Sequence, residues 1–150
     1  MMRTLPLILL VAVAGCATAP QTGATAAECF SAPYDLLSET RRALPDGTRL
    51  ILEPRRSREY ARFGWRMARV VRGAGPDNTV VARWRATTPD SITVVQHDMF
   101  SGFTLRLRRT ADGLAGTRML FSDNTKTVSP GAYTVVQDSS AVTLQAGCGS

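Results

Sequence analysis

The chain has 150 residues, a net charge of +6, 44% hydrophobic residues, three cysteines and a single histidine. That length supports one domain with a real core and excludes two. One histidine without spaced carboxylates falls short of the three or four ligands of a metal centre. The only glycine-rich run, Gly73-Ala74-Gly75-Pro76, opens a turn between strands rather than a helix, which excludes a phosphate-binding loop.

The N-terminus reads as a targeting segment. Arg3 precedes an apolar stretch from Leu5 to Val13 that is too short to span a bilayer, and the stretch closes on Val13-Ala14-Gly15-Cys16. These residues resemble the signal peptide and lipobox of bacterial lipoproteins. The resemblance implies removal of residues 1–15, a diacylglycerol on the Cys16 thiol, and acylation, with palmitate for example, of the new amino group. Two or three buried acyl chains make a stable anchor where one binds reversibly. Ala17 stands where an Asp would favour inner-membrane retention. This implies an outer-membrane anchor facing the periplasm, with the periplasmic face of the inner membrane as the alternative. An ordinary secretory signal cut near Ala14 or Ala19 would export the domain equally.

With Cys16 assigned to lipid, Cys29 and Cys148 remain in an oxidising compartment, so a Cys29–Cys148 disulfide is expected. It would tie the start of the domain to its end. Residues 16–28 form the lipidated cysteine and a tether, because Ala17 to Ala27 (ATAPQTGATAA) carries no large apolar group to pack. As a flexible coil the tether reaches about 20 Å. Residues 29–150 then form a single β domain.

From Ser31 to Leu44 the pattern has helical period. Pro33, Leu36, Leu37, Thr40, Ala43 and Leu44 share one arc, and Asp35, Ser38, Glu39 and Arg42 share the other. Ser31 suits the N-cap, Pro33 the first turn, and Pro45-Asp46-Gly47 the stop, so one amphipathic helix is expected there. After Gly47 the period becomes two. Strands are expected near Thr48–Glu53, Phe63–Arg72, Thr79–Ala86, Ser91–His97, Phe103–Arg109, Leu114–Asp123, Ala132–Gln137 and Ala141–Ala146, separated by turn signals that include Asp138-Ser139-Ser140. The expected fold is mainly β: an antiparallel eight-stranded meander closing into a small barrel, with the helix over a mouth or an edge and a β-sandwich as the alternative. Arginines on outward strand positions exclude an outer-membrane barrel, since they would sit in lipid.

Arginine dominates the charge. Lys126 is the one lysine, and Arg49 to Arg72 holds eight arginines against Glu53 and Glu59. The guanidinium fork suits phosphates and carboxylates, and solvated outward arginines explain much of the pattern equally well. An exported lipoprotein meets anionic envelope components or other proteins, not nucleic acid. Arg69 falls in phase with Phe63, Trp65, Met67 and Val71, so that register points it inward, where it needs a partner. Trp65, Trp84, Phe103 and Phe121 are expected to line or fill the barrel. Arg69, Trp65, Trp84, Arg62 and Arg66 are therefore the candidate ligand-binding residues.

His97, Asp98 and Ser101 lack the Gly-x-Ser-x-Gly of a nucleophile elbow and lie too close in sequence for a triad. No catalytic residue and no cofactor is expected. The functional expectation is a lipid-anchored periplasmic lipoprotein acting as a non-catalytic binding or inhibitory module. A structural envelope factor or lipid carrier with an interior apolar cavity is the alternative.

Overall fold

The computed structural model describes residues 26–98, 101–123 and 135–148. The lipobox and tether residues 17–25 lie outside this set, as do residues 132–134 of an expected strand. Eight strands follow in order: β1 Glu28–Tyr34, β2 Ala43–Arg56, β3 Arg66–Arg72, β4 Thr79–Thr88, β5 Ser91–His97, β6 Ser101–Arg109, β7 Gly113–Asp123 and β8 Val135–Ala146. Each pairs antiparallel with the next, and β1 meets β8, so the meander closes into a barrel.

The strand count matches expectation through a different division of the chain. The helix expected over residues 31–44 does not form. Phe30 and Ala32 are buried on alternate positions of β1, Asp35–Arg42 is a loop, and Ala43 already belongs to β2. The segment carries both a helical and a two-residue period. Pairing with β2 decides between them, because it satisfies the β1 backbone in a closed barrel, whereas an isolated helix of this length is marginal. Pro45-Asp46-Gly47 lies inside β2 rather than stopping a helix. Gly47 has φ 59°, and a Cβ there would sit 2.2 Å from the Ala32 carbonyl oxygen, so only glycine admits the approach of β1.

At the other end of the chain, the two strands expected around Asp138-Ser139-Ser140 are one. β8 runs through these residues, pairing Ser140 with Arg118 and Ser139 with Met119. The polar run that reads as a turn is held in the ladder by the long β7 opposite. The Ser140 hydroxyl also accepts a bond from Arg118 Nε at 3.1 Å.

The interior is filled. Phe30, Leu50, Leu52, Val70, Trp84, Ile92, Val94, Phe103, Leu105, Leu107, Leu114, Val142 and Leu144 are all buried in one cluster, and Leu36 from the β1–β2 loop joins them with no exposure. Burying aliphatic and aromatic side chains at roughly 1.5–3 kcal/mol each is the main stabilising contribution.

One end of the barrel is closed by the Leu36 loop. Asp35 Oδ1 accepts the Leu37 amide at 3.0 Å, and Thr48 Oγ1 accepts the Leu36 amide at 3.0 Å while donating to the Tyr34 carbonyl at 2.8 Å. Asp35 also takes both arms of Arg72, through Nε at 2.9 Å and through Nη2. From inside, the fully buried Arg118 donates to the Leu36 and Ser38 carbonyls at 2.9 and 2.7 Å.

The β1–β8 seam has a short ladder, Phe30 to Ala146 and Ser31 to Gln145. The Cys29–Cys148 disulfide, with Cα atoms 5.4 Å apart, staples its lower end. Higher up, side chains take over, with Tyr34 Oη donating to the Thr143 carbonyl at 3.3 Å and Arg41 Nη2 to that of Ala141.

Candidate functional site

Because the interior is packed, the features able to meet a partner lie on the outer face. On β4 to β6 the outward positions form rows across the sheet. Arg85 faces Thr93, which faces Arg106, which faces Thr117, and the neighbouring row runs Arg83, Val95, Thr104 and Met119. Arg108 faces Ser91 one pair further along. An open depression of about 640 Å³ lies here, floored by Thr93, Val95, Thr104 and Ala115 and edged by Trp65 and the three exposed arginines Arg85, Arg106 and Arg108. Among the described residues no carboxylate lies within ion-pair distance of these three.

The Ser57–Trp65 connection folds against the same face. Its aromatic rings take arginines from β4: Arg85 stacks over Trp65 at 4.7 Å and Arg83 over Tyr60 at 3.9 Å. Arg83 also reaches Glu59 at 3.9 Å. Between this connection and the sheet lies a second recess, of about 820 Å³, lined by Arg56, Arg58, Met67, Arg83, Gln96 and His97 among others. Guanidinium groups stacked on aromatic faces keep their planar edges directed outward, which suits a forked grip on carboxylate or phosphate.

The structure redistributes the residues expected from sequence. Arg69 does not point inward. It is about half exposed and bonded to Glu53 Oε1 at 2.8 Å, because the inward positions of β3 are Ala68 and Val70. Small side chains are needed there beside Leu50, Leu52 and Trp84, while Met67 and Trp65 sit on the outer face under arginines and the connection. Trp84 is in the core, with Nε1 donating to the Glu53 carbonyl at 2.9 Å and Arg66 over its ring at 5.4 Å. Phe103 also fills the core, but Phe121 and Trp65 do not. Phe121 lies outside, edge-on to His97 at 4.8 Å. Arg62 is at the tip of the connection, over Phe63. Only Trp65 of the five joins the arginine face.

The buried arginine is Arg118, which sequence reasoning missed although a signal was present: Leu114, Gly116, Arg118 and Leu120 share the inward period of β7. Of His97, Asp98 and Ser101, the last two meet, the Ser101 hydroxyl donating to Asp98 Oδ2 at 3.1 Å. The His97 ring Nε2 contacts Thr104 Oγ1 at 3.2 Å, while Asp98 Oδ1 accepts the Ser101 amide at 2.6 Å in a tight turn. No group of three or more His, Cys, Asp or Glu able to hold a metal occurs among the described residues.

No family model, curated protein or solved structure matches this chain significantly.

Proposed function

We propose that this chain is an envelope lipoprotein, anchored through Cys16 in the outer membrane and facing the periplasm, whose barrel is a non-catalytic binding module for an anionic partner. The observation that carries the reading is the contrast between a filled interior and an outer face where Arg85, Arg106 and Arg108 surround one depression without acidic partners among the described residues. Arginines held on rigid strands lose little freedom on binding, and a partner bearing carboxylates or phosphates satisfies all three. The alternative of a carrier with an interior cavity has less support, because Leu36 and the strand side chains occupy the place a ligand would take.

Two measurements test the reading. The mass of the protein extracted from membranes carries a diacylglycerol if Cys16 is the anchor, and Cys16→Ser abolishes the increment. Co-sedimentation with purified peptidoglycan sacculi, and with lipopolysaccharide, falls at least about tenfold in the triple variant R85E/R106E/R108E, in line with charge reversal at a complementary interface. Wild-type protein that pellets with neither, or a triple variant that binds as well as wild type, overturns the assignment of this face.

A further inference from the structure

We infer that the tip of the β2–β3 connection is a second membrane contact, in which Phe63 and its surrounding arginines rest on anionic phospholipid headgroups. The inference builds on the anchor reading above but uses different residues from the partner-binding depression.

The meander places the start of β1 at Glu28, the C-terminal Cys148 and the connections β2–β3, β4–β5 and β6–β7 at one end of the barrel. The chain enters the barrel at this end, so a lipid on Cys16 draws this end to the bilayer. Ala26 is ten steps along the chain from Cys16, and at about 3.5 Å each these span at most about 35 Å. The tip is thereby held at high local concentration next to the headgroups, where even a weak contact is populated.

The tip is built rather than loose. The Ser57 amide donates to the Trp65 carbonyl at 3.0 Å at its base. Ala61–Phe63 forms one 3-10 turn, ended by Gly64 at φ 76° with its amide on the Ala61 carbonyl. This turn holds Phe63 54% exposed. Phe63 and Val81 are the exposed large hydrophobic side chains among the described residues, and Phe63 is the one at the tether end. Arg62 stacks over its ring at 4.6 Å, with Arg58 and Arg56 exposed nearby.

The acids of this end are largely engaged. Glu28 takes both arms of Arg109 at 2.5 and 2.9 Å, Glu53 pairs with Arg55 and Arg69, and Glu59 lies beside Arg83. Asp90 and Asp112 on the two shorter turns stand against Arg56, Arg58 and Arg62, so the end remains basic. At the opposite end the exposed described residues include Glu39, Asp46, Asp77 and Asp98 against Arg41 and Arg42. Among the described residues the two ends thus differ in charge, with the basic, aromatic end where the tether enters. An aromatic ring flanked by arginines suits the headgroup boundary of an anionic leaflet.

The test reconstitutes the mature protein, extracted from membranes, into vesicles containing acyl-brominated phosphatidylglycerol or only brominated phosphatidylcholine. Phe63→Trp reports depth at the tip and Ala74→Trp reports the opposite end, each corrected for Trp65 and Trp84 with wild type. The expected result is strong quenching at position 63 and little at 74 in phosphatidylglycerol, lost at about 0.5 M salt where screening shortens the reach of surface charge. Charge removal in R58Q/R62Q lowers tip binding about fivefold per arginine. Equal quenching at both positions, or quenching at 63 that is the same in phosphatidylcholine, overturns the inference. If the extracted protein carries no lipid, the anchor reading fails. The tip is then read separately by sedimenting that unlipidated protein with the same vesicles, where failure to pellet with phosphatidylglycerol overturns it.

Discussion

Replacing Arg118 by Met keeps the volume of the side chain and removes its donors. In the wild type this fully buried guanidinium reaches Leu36 O at 2.9 Å, Ser38 O at 2.7 Å and Ser140 Oγ at 3.1 Å, so one side chain fastens the plug loop to β7 and β8. Exchanging a whole buried ionic group for apolar residues is often neutral, but here only one partner leaves. The Leu36 carbonyl stays buried, and the Ser38 carbonyl and Ser140 hydroxyl part-buried, without this donor, and Asp35 loses one of the two positive charges that favour its ionised form. Removing one partner from such a set costs about 3–5 kcal/mol. For a domain of this size that corresponds to a fall in Tm of about 12–20 °C, at roughly 4 °C per kcal/mol. Urea denaturation and calorimetry measure it, with Arg106→Met on the outer face as the control, expected within about 0.5 kcal/mol of wild type. Hydrogen exchange of the Leu36 and Leu37 amides should speed up in R118M more than that of the β6 amides. If R118M melts within about 4 °C of wild type, the plug is not held by Arg118 and the reasoning fails.

Asp35→Asn removes the ion pair to Arg72. Burial pushes the Asp35 carboxyl upward, but the Arg72 hydrogen bond, the Leu37 amide and the charges of Arg72 and Arg118 together outweigh it and hold the pKa below its ordinary 3.8. Its contribution to stability is therefore complete above pH 3.8 and is lost as the pH falls through the lower folded value. D35N should be less stable at neutral pH by about 1–3 kcal/mol and should lose part of the acid dependence, read from melts at pH 7 and below 3.8. An unchanged acid slope would remove Asp35 from the account. Reducing the Cys29–Cys148 bridge, which joins residues 119 apart, should cost up to about 5 kcal/mol and open the β1–β8 seam first, seen as faster exchange at Phe30 and Ala146. Gly116→Ala should destabilise strongly, because its Cβ would lie 2.0 Å from the Arg106 carbonyl oxygen, and a normal melt would show that β6 and β7 can separate there.

Much of the barrel was legible because outward and inward residues alternate cleanly where one strand face is buried. Thr79 to Ala86 and Phe103 to Arg109 read as strands for that reason, and both are. The misreadings occur where a residue's chemistry is settled by a distant partner. Asp35 looks like one residue of a helix's polar arc until Arg72 and Arg118 are seen beside it, and Ser139-Ser140 looks like a turn until Ser140 is found paired with Arg118 across the ladder. Arg69 and Arg118 each fit an inward period in their own segment. Local alternation has no way of ranking them: Arg69 keeps the phase of Trp65 and Met67, but that phase faces outward because Ala68 and Val70 take the core positions of β3. The arginine face was half visible: the excess of arginine is in the composition, but Arg85, Arg106 and Arg108 come together only through pairing of β4, β5 and β6.

By itself the sequence determined the class of fold and the pairing of Cys29 with Cys148, because period and cysteine count are local or arithmetic properties. Tertiary structure alone decided which segment supplied the eighth strand, which arginine was buried and which end of the barrel is basic. Those depend on closure: joining β1 to β8 requires every edge to find a partner, and that global requirement overrides a helical pattern fourteen residues long and sets the register of every side chain in between.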